Sequence, residues 1–265
     1  MPLRLYKYED PTAQTLRNLK GQVLYFGSPL GFADPYDCAL TPSIRVPPDS
    51  EVEVIRRRYL DLPSTPPAAR RELESLSGVE LRHALMRAGR AALEEVAGEF
   101  LRKRGVTCFS ELNDNLLMWA HCGGRYEGIC LEFAAEAEPF RNIRQVQYVE
   151  VLPTIDLASL LVDRDFKQVM DLFCTKSTSW AYEKEWRAMH TVAGTEYVYP
   201  AEALTGVFFG PDVDSRSLEI VCLILQGQND KVRLWQGTRS TTEFRVLFKG
   251  FTYTSFLEAK RRGLA

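Results

Sequence analysis

At 265 residues with 45% hydrophobic side chains, the chain is long enough to bury a substantial core, which excludes large-scale disorder. Its 33 basic and 35 acidic residues leave a net charge of -2, so no global field draws it to nucleic acid or an anionic membrane; a local basic groove stays compatible with that balance. No apolar run approaches the roughly 18 residues of a membrane span, and MPLRLYKYED lacks the apolar centre of a signal peptide, so the sequence reads as cytoplasmic with no membrane partner.

In chain order, LRLYKY (3–8) and VLYF (23–26) read as strands, with a helix between them over 11–20 that ends at Gly21 as the left-handed cap. GSPLGFADPYD is a structured loop rich in Gly and Pro. From 47 to 104 the pattern turns charged and helical and breaks at DLPSTPPAAR, where three prolines disfavour helix; this segment reads as a helical insertion within one domain spanning 1–265. VTCFS (106–110), a helix over 113–122 capped by Asn113 or Asp114, and the strand ICLEF (129–133) resume the core pattern. A strand over 145–151 follows, then helices over 155–161 and 165–174. The octapeptide WAYEKEWR (180–187), GVFFG (206–210), a helix over 215–226, VRLWQ (232–236) and FRVLF (244–248) complete the order. Strands and helices alternate without a βαβ rhythm, which predicts an α+β fold: a central mixed or antiparallel sheet with flanking helices and the insertion.

The octapeptide concentrates two tryptophans, a tyrosine, Glu183, Glu185, Lys184 and Arg187. As a strand it places Glu183, Glu185 and Arg187 on one face, a polar site or a solvated edge. As a helix it makes Glu183 and Arg187 an i,i+4 pair worth about 0.3 kcal/mol. In FADPYD, Asp34 and Asp37 could bind metal or orient a ribose, while an Asp before Pro also starts turns through its own side chain. His121 stands in the last turn of a short helix, where the dipole favours imidazolium; it serves as proton donor or anion contact, or simply as a cap. Lys176, followed by Ser177, Thr178 and Ser179, could hold a phosphate or lie on a solvated loop; no glycine-rich phosphate loop accompanies it. The six cysteines form no CxxC pair and the histidines do not cluster, so no metal site is expected, and Cys130 and Cys222 read as small hydrophobes. GxSxG, HExxH and helix-opening GxGxxG motifs are lacking.

Taken in order, LYKY, VLYFGSP with FADPYD, CFSELNDNLLMWAH, GICLEF, and Lys176 with WAYEKEWR resemble the bacterial domain-of-unknown-function family 2971 (DUF2971) over most of the chain. Two departures stand out: Ala33 occupies the place of the family's usual Asn, and Cys122 that of its aromatic residue. The family name states no activity, so function has to be argued from the site.

Three readings compete. By analogy with the ADP-ribosyltransferase superfamily, the chain is an NAD-consuming enzyme with NAD as co-substrate. Lys7 then contacts pyrophosphate, Ser110 the nicotinamide or ribose, Trp119 or Tyr182 supplies a stacking face, and Glu183 or Glu185 stabilises an oxocarbenium-like charge. SerThrSer at 177–179 lies too close to the glutamates to count as that superfamily's separate motif. Alternatively, Asp34, Asp37, Glu183 or Glu185 with Lys176 form a metal-dependent nuclease, which keeps nucleic acid open as a substrate. The third reading is a non-catalytic module that recognises a ligand or protein through its aromatic and charged islands. The shared geometric expectation is that Glu183, Glu185 and Arg187 look toward Lys7 and His121.

Overall fold

The computed structural model describes residues 4–38, 42–136, 140–229 and 231–263; Leu3, the expected first strand residue, lies outside them. The chain begins with β1 (Arg4–Glu9), α1 (Ala13–Gly21) and β2 (Val23–Phe26). Thr12 caps α1 by accepting from the Thr15 amide, and the left-handed residue that ends the helix is Gln22, φ 53°, rather than the expected Gly21. After β3 (Ser43–Ile44), the proline-broken segment forms α2 (Asp49–Asp61), α3 (Pro67–Ser75) and α4 (Gly78–Lys103). Pro67 is tolerated in the first turn of α3, and a Ser77–Glu80 capping box opens α4.

β4 (Gly105–Ser110), α5 (Leu116–His121) and β5 (Ile129–Ala134) follow. Asn115, not Asn113 or Asp114, caps α5, because its Oδ1 accepts from both the Leu117 and Met118 amides. The single strand expected over 145–151 divides into β6 (Arg144–Gln145) and β7 (Gln147–Val149), since the amides of Val146 and Gln147 pair with different stretches of chain. The helix expected from Ile155 instead begins as β8 (Thr154–Ile155), and the turns after it widen into a π-helical turn, Ser159–Asp163. Next come α6 (Lys167–Leu172) and β9 (Thr175–Ser177). The octapeptide is neither all strand nor all helix: a 3-10 turn over Thr178–Glu183 leads through Lys184, φ 47°, into β10 (Glu185–His190). β11 (Thr195–Val198), β12 (Leu204–Phe209), α7 (Ser215–Gln226), β13 (Arg233–Arg239), β14 (Val246–Phe251) and α8 (Phe256–Arg261) complete the order.

These elements form two compact units. The first comprises Met1–Gly27, Gly105–Val146 and Ser179–Ala265. Its eight-stranded sheet runs β14-β13-β12-β5-β1-β4-β10-β6, antiparallel except between β12 and β13, whose parallel pairing uses α7 as the crossover. The fold is therefore α+β with a mixed central sheet, as expected. Alternation along the strands sorts residues onto two faces. One face carries Leu5, Phe109, Leu131, Phe133 and Val207, which build the main core with Leu19 of α1 and Val221, Cys222 and Leu225 of α7. The opposite face packs Tyr8, Cys130 and Phe208 under Met118 and Trp119 of α5, and carries polar side chains beyond that cluster.

The second unit comprises Ser28–Arg104 and Gln147–Thr178, and so contains the segment 47–104 together with flanking chain. It holds α2, α3, α4 and α6 with two short parallel pairs, β3 with β8 and β7 with β9. Phe100 of α4 stacks on Phe173, centroids 3.6 Å apart. None of the six cysteines is joined in a disulfide, and Cys130 and Cys222 are fully buried. Among the described residues no helix is long and apolar enough to cross a membrane.

Candidate functional site

The register of the first unit's sheet lines up one row of residues across five strands. Gly206 of β12 stands opposite Glu132 of β5, Glu132 opposite Tyr6 of β1, Tyr6 opposite Ser110 of β4, and Ser110 opposite Glu185 of β10. Directly paired residues point to the same side, so Glu132, Tyr6, Ser110 and Glu185 share the polar face.

Glu132 is the centre of this face. Its side chain is 1% exposed, a costly place for a carboxylate unless it is fully bonded. Four groups bond it: the Arg4 guanidinium at 3.2 Å, the Tyr6 hydroxyl at 3.2 Å, the Thr205 hydroxyl at 2.7 Å and the Arg233 guanidinium at 2.7 Å. Thr205 reaches it because the β12 register shifts between Leu204 and Gly206, a bulge that supplies one extra residue. Gly206 leaves room for it, since a Cβ there would stand 3.3 Å from Oε1. Burial, then the charge of Glu132, pushes the Tyr6 hydroxyl up to about 12. With its acceptor sites filled, Glu132 acts as a clamp rather than a base. The two guanidiniums it holds are half exposed, at 52% and 47%, and each has further donors for an outside partner. Beside them Trp235 stacks on Phe208, centroids 5.7 Å apart, with the Arg233 guanidinium carbon 6.0 Å from the Trp235 ring.

Glu185 and Arg187 share this face, but below the surface. Arg187 is 0% and Glu185 4% exposed, and they meet as a two-point fork, Nε to Oε1 at 2.7 Å and Nη2 to Oε2 at 3.1 Å. Glu183, also buried, lies before the left-handed Lys184, which interrupts the strand alternation on which its expected place beside them rested. Ser110 is buried and bonded to backbone: its hydroxyl donates to the Glu183 carbonyl at 2.6 Å and accepts from the Leu112 amide at 3.1 Å. It braces the turn into β10, in place of the expected nicotinamide or ribose contact.

Lys7 overturns the shared geometric expectation. As the neighbour of Tyr6 on β1 it points to the opposite, apolar face, where it pairs with Glu9 at 3.0 Å. Burial opposes its charge, but Glu9 outweighs that and the lysine pKa is raised. Trp119 is not a stacking plate: it is 0% exposed, its indole donates to the Asn113 carbonyl at 2.7 Å, and Tyr8 packs edge-on against it. His121 does sit in the last turn of α5 and is exposed, with Nδ1 3.0 Å from the Tyr182 hydroxyl, while Asn115 holds the Tyr182 carbonyl at 3.3 Å.

Asp34 and Lys176 belong to the second unit. Asp34 Oδ1 accepts from the Tyr36 amide at 2.9 Å, the turn-forming role of an Asp before Pro. Lys176 is buried against Asp37, Nζ to Oδ2 at 3.1 Å, and does not lie on a solvated loop. Among the described residues no three His, Cys, Asp or Glu side chains assemble in the manner of a metal site.

No family model, curated protein or solved structure matches the chain. The likeness to family 2971 thus rests on its motifs, and the site on its geometry. Sequence reasoning missed Arg4, Tyr6, Glu132, Thr205 and Arg233. One signal was available: ICLEFA interrupts an apolar strand with a single carboxylate, and a charge there must find partners. Which partners it finds depends on register.

Proposed function

We propose that the polar face of the first unit's sheet is a recognition surface for a phosphate-bearing nucleotide ligand of the NAD or ADP-ribose kind. The observation that supports this best is the fixed pair of half-exposed arginines, Arg4 and Arg233, clamped by one buried carboxylate. Two planar forks held by a common anchor lose little freedom on binding a pyrophosphate, and phosphate is the group their geometry suits. Trp235 and Tyr6 offer aromatic surface next to them for a base, as nucleotide-binding faces use.

The NAD-consuming reading is second, favoured by one observation. Glu185 stands in the same row as Glu132, three strands away, about 14 Å by ordinary strand spacing. A dinucleotide anchored at the arginines could extend along that row toward it. Recognition without chemistry ranks first because Glu185 is buried and forked to Arg187, and would have to be uncovered to reach a ribose. The nuclease reading gains no assembled ligand set among the described residues.

Titration with NAD while assaying free nicotinamide separates the readings. Saturable binding without nicotinamide release is expected. Release that Glu185→Gln abolishes, with binding retained, would replace recognition by catalysis, and failure to bind at millimolar NAD would remove both.

A further inference from the structure

The second unit carries an apolar pocket of about 1030 Å³ that plays no part in the polar face. It is open to solvent along part of its wall, where Ala88, Ala92 and Val96 are exposed, and its volume lies at the upper end of the size range for small-molecule sites. Its wall is built by helix spacing: on α4, Ala84, Ala88, Ala92 and Val96 recur every four residues and so form one row along the pocket. Alanines keep that row low, while Ile55 and Tyr59 of α2, Leu160 and Leu161 of the π-helical turn, and Met170 of α6 supply bulk around it.

Among the described residues two charged ones line the pocket, Glu72 of α3 and Arg164. Arg164 ends the π-helical turn in the left-handed conformation, φ 58°, close in sequence to the exposed Phe166, which also lines the pocket. Neither its guanidinium nor the Glu72 carboxylate, both on exposed residues, makes a hydrogen bond or ion pair among the described residues, so each end of the lining offers one charge. Asp163, Asp165 and Lys167 are its charged neighbours in sequence; Asp165 accepts from the Lys167 amide and Lys167 lies 3.7 Å from Asp171. A large apolar volume with one unpaired fork in its lining matches a molecule that is apolar along its length and anionic at one end.

We infer that this pocket binds a long-chain fatty acid, with the acyl chain along the alanine row of α4 and the carboxylate on Arg164. The fork of arginine fits a carboxylate at two points, which distinguishes an acid from its ester. Chain length matters because each buried methylene adds about fourfold in affinity.

The test is fluorescence titration of the full chain with cis-parinaric acid, followed by displacement with palmitate, methyl palmitate and octanoate. Saturable probe binding is expected, with palmitate displacing it at least about tenfold better than the methyl ester, and octanoate far weaker still. Ala88→Trp should abolish binding by filling the pocket, and Arg164→Ala should erase the advantage of acid over ester while leaving ester affinity unchanged. Ala88 is exposed to the pocket, so its variant should fold, and Ala92→Trp is a second filler. Absence of saturable binding, equal displacement by acid and ester, tighter binding of hexadecyltrimethylammonium, or unaltered binding by both folded tryptophan variants would each overturn the inference.

Discussion

Glu132 shows how one residue can organise a surface it barely reaches. A carboxylate this deep is tolerated only because four donors meet it, and those donors fix the two arginines that face outward. Glu132→Gln removes the charge and strands part of this network. Since Arg4 and Arg233 are half exposed and can rehydrate, the expected loss is about 1–3 kcal/mol rather than the larger cost of a sealed pair, measurable by urea denaturation. Tyr6 adds a pH signature. Burial and Glu132 raise its hydroxyl from 10.0 to about 12, so the folded state holds that proton more tightly than the unfolded chain. The stability this contributes is complete below pH 10 and is lost as pH rises through about 12. Ultraviolet titration of native protein against Tyr6→Phe should show one phenol ionising near 12, and an ordinary tyrosine titration there would refute the contact.

At the scale of elements, local pattern was a good guide wherever the packing partner followed from periodicity. The strand over 23–26 and the helix over 215–226 coincide with β2 and α7, and the proline break separates α2 from α3. It failed where tertiary partners decide. The stretch 145–151 alternates well enough for one strand, yet adjacent amides pair apart, and WAYEKEWR turns at a left-handed lysine that no local signal marks. Lys7 and Trp119 were misjudged for a related reason, since which face is apolar depends on register that the sequence does not print. Asn115 joins two of these elements: it caps α5 and its amide holds the Tyr182 carbonyl. Asn115→Ala should cost about 1–2 kcal/mol and speed hydrogen exchange at Leu117 and Met118; unchanged exchange there would contradict the cap.

For the molecule as a whole, the chain passes between the two units at 27/28, 104/105, 146/147 and 178/179, so neither unit is a continuous segment. Each nevertheless carries its own core, and each carries its own candidate site: a polar sheet face in the first and an apolar helical pocket in the second. The balanced charge of the chain hides the polar face, because Arg4 and Arg233 are brought together across strands β1 and β13 around Glu132. Calorimetric titration of ADP-ribose into the native protein and into the Arg4→Ala, Arg233→Ala double variant tests that face most directly. Saturable binding by the native chain, weakened at least about tenfold in the folded double variant, is the predicted result. No saturable binding at millimolar ADP-ribose, or equal affinity in the two proteins, would contradict it.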